Sequence, residues 1–213
     1  MKVRKISVEV QDARQIPALF DKENLIGQPI EVVNWAEYSY RPQVSFRIAH
    51  TDKAILLHYR VKEDSVRAKY GEDNGNVWTD SCVEFFSIPA GDGIYYNLEC
   101  NCIGTVLLAA GPERNNREAA PAEVTAQIGR WASLGRESFE EKVGVCKWEV
   151  ALLIPYSVFF KHRVESLDGR EVKANFYKCG DELQQPHFLS WNPIGVESPD
   201  FHRPDFFGTL DFE

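Results

Sequence analysis

Sustained alternation of polar and apolar residues constrains this chain more than any other feature, because a period of two lays every second side chain on one face of an extended strand. Across Lys53–Lys62, the residues Ile55, Leu57, Tyr59 and Val61 share one face, while His58 and Arg60 lie on the other. Trp148, Val150, Leu152 and Ile154 repeat the pattern within Lys147–Ile154. Further strands are expected over Val44–Ala49, Ser81–Ile88, Ile94–Asn101, Thr105–Ala110, Val124–Trp131, Val172–Lys178 and Phe206–Phe212. Turn signals separate them, among them Ala90-Gly91-Asp92-Gly93, Asn101–Gly104, Gly111-Pro112 and Asp168-Gly169. Helix is expected only as a short turn over Asp64–Tyr70 and a brief segment from Pro155 through Phe160. The polar stretch Gly111–Ala122 reads as one long surface loop. Strands do not alternate with long helices, which disfavours a parallel α/β sheet. The expectation is an all-β, antiparallel, jelly-roll-like β-sandwich with little helix, formed by residues 1–213 as one unit with no linker dividing it.

Composition decides between classes of partner. Lys and Arg number 24 against 32 Asp and Glu, a formal charge of -8. That balance opposes binding to a phosphate backbone, which draws its affinity from clustered cations releasing counterions, so nucleic acid is excluded as a partner. A neutral polyhydroxylated ligand is held by hydrogen bonds and stacking, and a net negative surface does not repel it. The five cysteines include no CxxC pair, which disfavours zinc at its usual spacing, and Cys100 and Cys102 share a strand face too closely to bridge. They read as reduced, buried, small hydrophobes. The N-terminal MKVRKISVEVQD alternates rather than forming the apolar run of a signal peptide or membrane span. It therefore predicts a cytoplasmic protein, or a periplasmic or extracellular one from which a signal has been trimmed.

Three segments carry candidate functional residues. In Val77–Phe86, Trp78 stands in the loop entering a strand, and Glu84 falls on the strand face shared by Cys82, Phe86 and Ile88. A carboxylate among apolar neighbours needs a partner, whether an internal cation or a ligand. In Ile94–Asn101, alternation gathers Tyr95, Asn97, Glu99 and Asn101 on one face, an array of donors and acceptors suited to a sugar ring and equally to a solvated surface. In Pro186–Gly208, prolines bracket aromatics around Trp191, so a stiff loop could present an indole at little ordering cost or seal one end of the sandwich.

The order of these elements resembles the family 9 carbohydrate-binding modules, and most resembles the family-9-like branch found in gut and environmental Bacteroidetes. The residues carrying the resemblance are Trp78, Asp80-Ser81 and Glu84-Phe85-Phe86, then Tyr96–Asn101 with Gly104, then Trp191 ahead of Phe207-Gly208-Thr209-Leu210. It spans about 44–213 and omits the N-terminal forty residues. The resemblance implies a non-catalytic protein of glycan utilisation that grips the end of an oligosaccharide or polysaccharide between Trp78 and Trp191. Glu84, Asn97, Glu99 and Asn101 would take its hydroxyls, and glycan-degrading enzymes would be partners. It also implies structural calcium, for which Glu72-Asp73-Asn74 is the nearest acidic run.

Three other readings compete. Glu84 and Glu99 could serve as the acid and nucleophile of a glycoside hydrolase. A DOMON-like sandwich could hold haem; Met1 is the only methionine, so two histidines would have to ligate it. An adaptor role would turn the tryptophans toward protein. No HExxH, P-loop or nucleophile elbow is present, and His50, His58, His162, His187 and His202 show no HxH or HxxxH spacing.

Overall fold

The computed structural model describes residues 1–213. In chain order the strands are β1 (Lys2–Lys5), β2 (Gln28–Pro29), β3 (Val32–Val33), β4 (Gln43–His50), β5 (Ala54–Ala68), β6 (Cys82–Ile88) and β7 (Tyr95–Asn101). They continue with β8 (Val106–Glu113), β9 (Asn116–Ala119), β10 (Gly129–Ala132), β11 (Phe139–Pro155), β12 (Glu171–Cys179), β13 (Phe188–Ser190) and β14 (Gly208–Phe212). The α-helices are α1 (Ile16–Lys22) and the single turn α2 (Ala122–Thr125). Neither is long enough to cross a membrane.

Two hydrogen-bonded layers result. One runs β10-β11-β5-β4, with β2 on β4; the other runs β14-β12-β6-β7-β8-β9, with β13 added to β12 and β3 to β13. Strand β1 joins them, pairing Lys2 and Val3 with β14 and Arg4 and Lys5 with β4, both in parallel; the remaining pairings are antiparallel. The alternating apolar faces meet between the layers, as a sandwich requires. Phe176 of β12 stacks on Phe46 of β4 at 3.7 Å and on Phe85 of β6 at 5.0 Å between ring centroids. The expected all-β sandwich is therefore the fold observed.

Four local expectations need correction. Asp64–Tyr70 is not helical: β5 continues through Ala68, and the charges that mask its alternation are buried in ion pairs. Glu63 pairs with Lys178 at 2.9 Å, and Arg67 lies between Asp80 and Glu182. Gly111–Ala122 is mostly the β8–β9 hairpin rather than a loop. A side chain at Gly111 would lie 2.0 Å from the carbonyl of Asn116, so only glycine lets the two strands approach there. Val124–Trp131 splits into α2, which starts after Pro121, and the short β10. The Pro155–Phe160 helix reduces to one 3-10 turn over Tyr156–Val158.

A buried polar cluster ties the layers at one end. The Lys178 ammonium of β12 contacts Glu63 of β5 and lies 2.7 Å from both His187 Nε2 and the Cys179 carbonyl. Trp148 Nε1 donates to the other Glu63 oxygen at 2.5 Å. Breaking one side of a fully buried ion pair strands the other charge. Glu63→Gln is expected to cost about 3–5 kcal/mol in urea denaturation, and joint replacement Glu63→Leu/Lys178→Met to recover most of that loss. An unchanged midpoint in Glu63→Gln would contradict this role.

Candidate functional site

The outer face of the second layer, turned away from the sandwich core, carries the side chains that alternation had grouped. Glu84 of β6 and Glu99 of β7 are directly opposite in register, with Asn97 next to Glu99 on the same face and Leu107 and Ala109 beyond on β8. Loops cover part of this face and build a second apolar cluster from Trp35, Val77, Phe86, Tyr95, Tyr177, Ile194, Phe201 and Phe207. The part left open is a cavity of about 370 Å³. Its floor is Cys179, Glu84, Glu99, Leu107 and Ala109; Trp78, Asp181, Phe188, Phe201, His202, Arg114 and Arg117 stand around it.

Each wall is held by a specific contact. Asp80, fully buried, accepts the backbone N–H groups of Lys69 and Tyr70 at 3.0 Å and the Asn101 amide at 3.0 Å. The Asn101 amide also donates to the Tyr70 carbonyl at 2.8 Å, and its oxygen accepts from Ile103 and Thr105. Trp78 sits two residues before Asp80, and its carbonyl accepts from the Asp181 N–H and lies 3.4 Å from the Cys179 sulfur. On the other side, Phe201 stacks on Tyr177 at 4.2 Å, the Tyr177 hydroxyl donates to the Phe201 carbonyl, and the Tyr95 hydroxyl lies 2.9 Å from His202 Nδ1. An Arg114–Asp200 ion pair at 3.4 Å ties the β8–β9 hairpin to that loop.

The floor is polar and under-bonded. Glu99 accepts from the Asn97 amide at 2.9 Å through one oxygen; its second oxygen and the Asn97 Oδ1 are buried without a partner. Glu84 accepts from the Cys179 thiol at 3.1 Å, and its backbone carbonyl is fixed by the Tyr59 hydroxyl reaching across from the opposite layer. Burial, then the neighbouring Glu99, holds the Glu84 carboxyl well above the usual carboxylate range. Burial pushes Glu99 up to about 7 and Asp181 up to about 6. Burial, aided by Arg117 and Arg114, drops His202 to about 3 and keeps its ring neutral.

The structure thus brings Trp78, Glu84, Asn97 and Glu99 together and separates Asn101 and Trp191 from them. The Asn101 side chain is fully occupied as a brace for the Trp78 loop. Trp191 packs edge-on to Phe46 and Phe176 and lies against Gly208, where an added Cβ would meet its ring at 2.7 Å. It is partly buried, packs against the sandwich core and is not among the residues lining the cavity, where Trp78 is the one tryptophan. The other aromatic rings lining the cavity are Phe188, Phe201 and His202, for which alternation gives no signal because they stand in or beside the C-terminal loop. Arg114 and Arg117 were hidden in a stretch read as a solvated loop. His202 is the only one of the five histidines lining the cavity, which leaves no pair for haem. The 72–74 run does not fit calcium: Asp73 is bidentate with Arg130, and both ends of the Asn74 amide bond backbone groups.

A carboxyl-floored, aromatic-walled pocket on the outer face of an antiparallel sandwich is suited to a polyhydroxylated ligand. The sequence profile of carbohydrate-binding family 9 matches residues 14–212, and the chain belongs to that family. The match starts thirty residues before the resemblance read from motifs. The segment that resemblance left out supports the site: Asn34 bonds Ser190 and the Ile194 N–H, and the Trp35 indole donates to the Val196 carbonyl. A solved structure of a candidate carbohydrate-binding protein from Bacteroides uniformis is 54% identical, with TM-score 0.98, and the match covers 100% of this chain and 98% of that one. Family 9 modules from Caldicellulosiruptor kristjanssonii in complex with glucose and with cellotriose share the fold at 11% and 10% identity, with TM-scores of 0.63 and 0.64. Each covers 100% of this chain, matching 95% and 94% of theirs. No curated protein matches the chain.

The raised Glu99 carboxyl has a consequence for stability. A carboxyl whose folded pKa lies above its unfolded value contributes stability below the unfolded pKa and loses it as pH rises through the folded one. Between pH 4.5 and about 7, Glu99 should therefore destabilise the fold progressively. Glu99→Gln is expected to flatten that pH dependence and to raise unfolding free energy at pH 8 by about 1–3 kcal/mol. Thermal melts across pH 4.5–8 check this, and a variant with the wild-type slope would contradict it.

Proposed function

We propose that the cavity binds the end of a neutral oligosaccharide, with one ring lying against the Trp78 indole and its hydroxyls bonded by Glu99, Asn97 and Glu84. The observation that carries this reading is the Glu99 carboxyl, which borders the aromatic-walled cavity and whose Oε2 is buried without a partner, with the Asn97 amide bonded to its other oxygen directly behind it. A buried polar atom without a partner costs about 1–3 kcal/mol, and a sugar hydroxyl relieves that cost on binding. Burial raises the Glu99 carboxyl toward its protonated form, in which it donates as well as accepts. That versatility suits a ring whose hydroxyls do both.

The volume supports a chain end rather than a long groove. About 370 Å³ falls near the lower limit of small-molecule sites, roughly 300–1,000 Å³. Trp78 supplies a flat surface whose negative π face attracts polarised C–H bonds, while Phe188 and His202 exclude water from the other side. The glucose and cellotriose complexes of proteins sharing this fold support the same ligand class. A place in glycan utilisation, delivering such ends to degrading enzymes, accords with this reading.

A glycan array of mono- and oligosaccharides including glucose and cellotriose, followed by calorimetry on the hits, tests the proposal. Trp78→Ala should lose about 2 kcal/mol or more of binding, roughly 30-fold, with its melting temperature nearly unchanged. Trp191→Ala should do the reverse, lowering stability and sparing binding, because it removes an aromatic packed against the core and outside the cavity lining. Absence of binding to any array sugar at millimolar concentration would sink the reading.

A further inference from the structure

The cavity floor carries a second constellation, which shares Glu84 with the sugar reading and adds two cysteines that sugar recognition does not explain. Cys82 and Cys179 are directly opposite each other on the antiparallel strands β6 and β12, and Glu84 follows Cys82 by two residues on the same face. One thiol sulfur from each cysteine and one Glu84 oxygen all lie within 4.8 Å of one another, fully buried. Cys179 and Glu84 border the cavity, while Cys82 lies sealed behind them.

We propose that Cys82, Cys179 and Glu84 form a binding site for Zn²⁺ or a similarly thiophilic divalent cation, with the fourth coordination position open to the cavity. Two thiolates and one carboxylate are a zinc donor set; calcium and magnesium take oxygen ligands instead. Zinc bonds of about 2.0–2.3 Å bring tetrahedral ligand atoms roughly 3.3–3.8 Å apart, so the existing cluster needs only a small contraction. Cys179 and Glu84 are already at 3.1 Å. The backbone is regular strand on both sides, so β pairing has set the three side chains in place before any ion arrives.

The uncomplexed cluster is also poorly compensated. The Lys178 ammonium next in sequence is committed to Glu63 and His187 on the opposite face, leaving no cation in contact with the two sulfurs and the Glu84 carboxyl. On binding, the ion takes the electron pairs of both sulfurs and of the carboxylate oxygen, and the protons they carried pass to solvent. Arg117 and Arg114 across the cavity face the residual negative charge. Spacing along the chain concealed the site, since 97 positions separate two cysteines that strand pairing makes neighbours.

Titration of the reduced full-length protein with Co²⁺ under anaerobic conditions tests this directly. The expected result is one ion per chain, with a thiolate-to-cobalt charge-transfer band and the intense visible bands of a tetrahedral ion, both abolished by Zn²⁺. Cys82→Ser and Cys179→Ser should lose the spectrum, and Cys146→Ser, which alters the one thiol outside the buried set, should keep it. Glu84→Gln, which conserves volume, should weaken cobalt binding about tenfold or more. Absence of the bands in wild type, their persistence in Cys179→Ser, or unchanged affinity in Glu84→Gln would each overturn the proposal, even if a serine variant failed to fold. The spectrum is read without sugar, so its failure leaves the glycan reading standing and a failed glycan array leaves this one.

Discussion

The ion pair between Lys178 and Glu63 governs where everything else in the site can stand. It is buried on both sides and joins β12 of one layer to β5 of the other, with His187 and Trp148 satisfying the remaining polar atoms. Because strand side chains alternate, fixing Lys178 toward the inner network obliges Cys179 and Tyr177 to point outward. Tyr177 then supplies the platform on which Phe201 stacks, and Cys179 becomes the contact for Glu84. Specificity of register is the physical role that a buried pair of this kind serves, since a one-residue slip of β12 would reverse both faces.

From that register the cavity follows by local chemistry. A sheet face with two carboxyls and an amide is unstable against burial unless something compensates it, and loops close over only part of it. Asp80 and Asn101 hold the Trp78 loop at one rim; Tyr95, Tyr177 and the Arg114–Asp200 pair hold the opposite rim. The result is a polar floor between aromatic walls, with the orphaned Glu99 oxygen in place before ligand arrives. Preorganisation of this kind lowers the ordering cost of binding a small, flexible ligand. Burial, aided at Glu84 by the neighbouring Glu99, raises both carboxyls above the usual carboxylate range.

The sandwich was legible because alternation survives wherever one face is apolar, as in β6, β7 and β12. It failed at β5 beyond Lys62, where Glu63 and Arg67 are buried by pairing rather than by apolarity, and at β8–β9, an exposed hairpin whose polar residues leave no alternation to read although Arg114, Asn115 and Arg117 border the cavity. Within the site, Glu84, Asn97 and Glu99 were visible as one strand face, and Trp78 as the aromatic entering it. Asn101 shared their face but its amide serves the hairpin backbone, a distinction that depends on three-dimensional neighbours. Trp191 resembled a clamp because prolines flank it, yet Gly208 leaves a gap that its ring fills against the core. Cys82 and Cys179 could not be paired from spacing, because their proximity is a property of β6–β12 register alone.

The central claim is that sugar lies against Trp78 over the Glu84–Glu99 floor. Amide and indole resonances of the ¹⁵N-labelled protein, followed during titration with cellotriose or an array hit, report on it directly, since the five tryptophans give separate indole N–H signals. The account predicts that the Trp78 indole and the Asn97 side-chain amide shift together and saturably, while Trp148 and Trp191 stay in place. Shifts centred on Trp191 with Trp78 unmoved would contradict it.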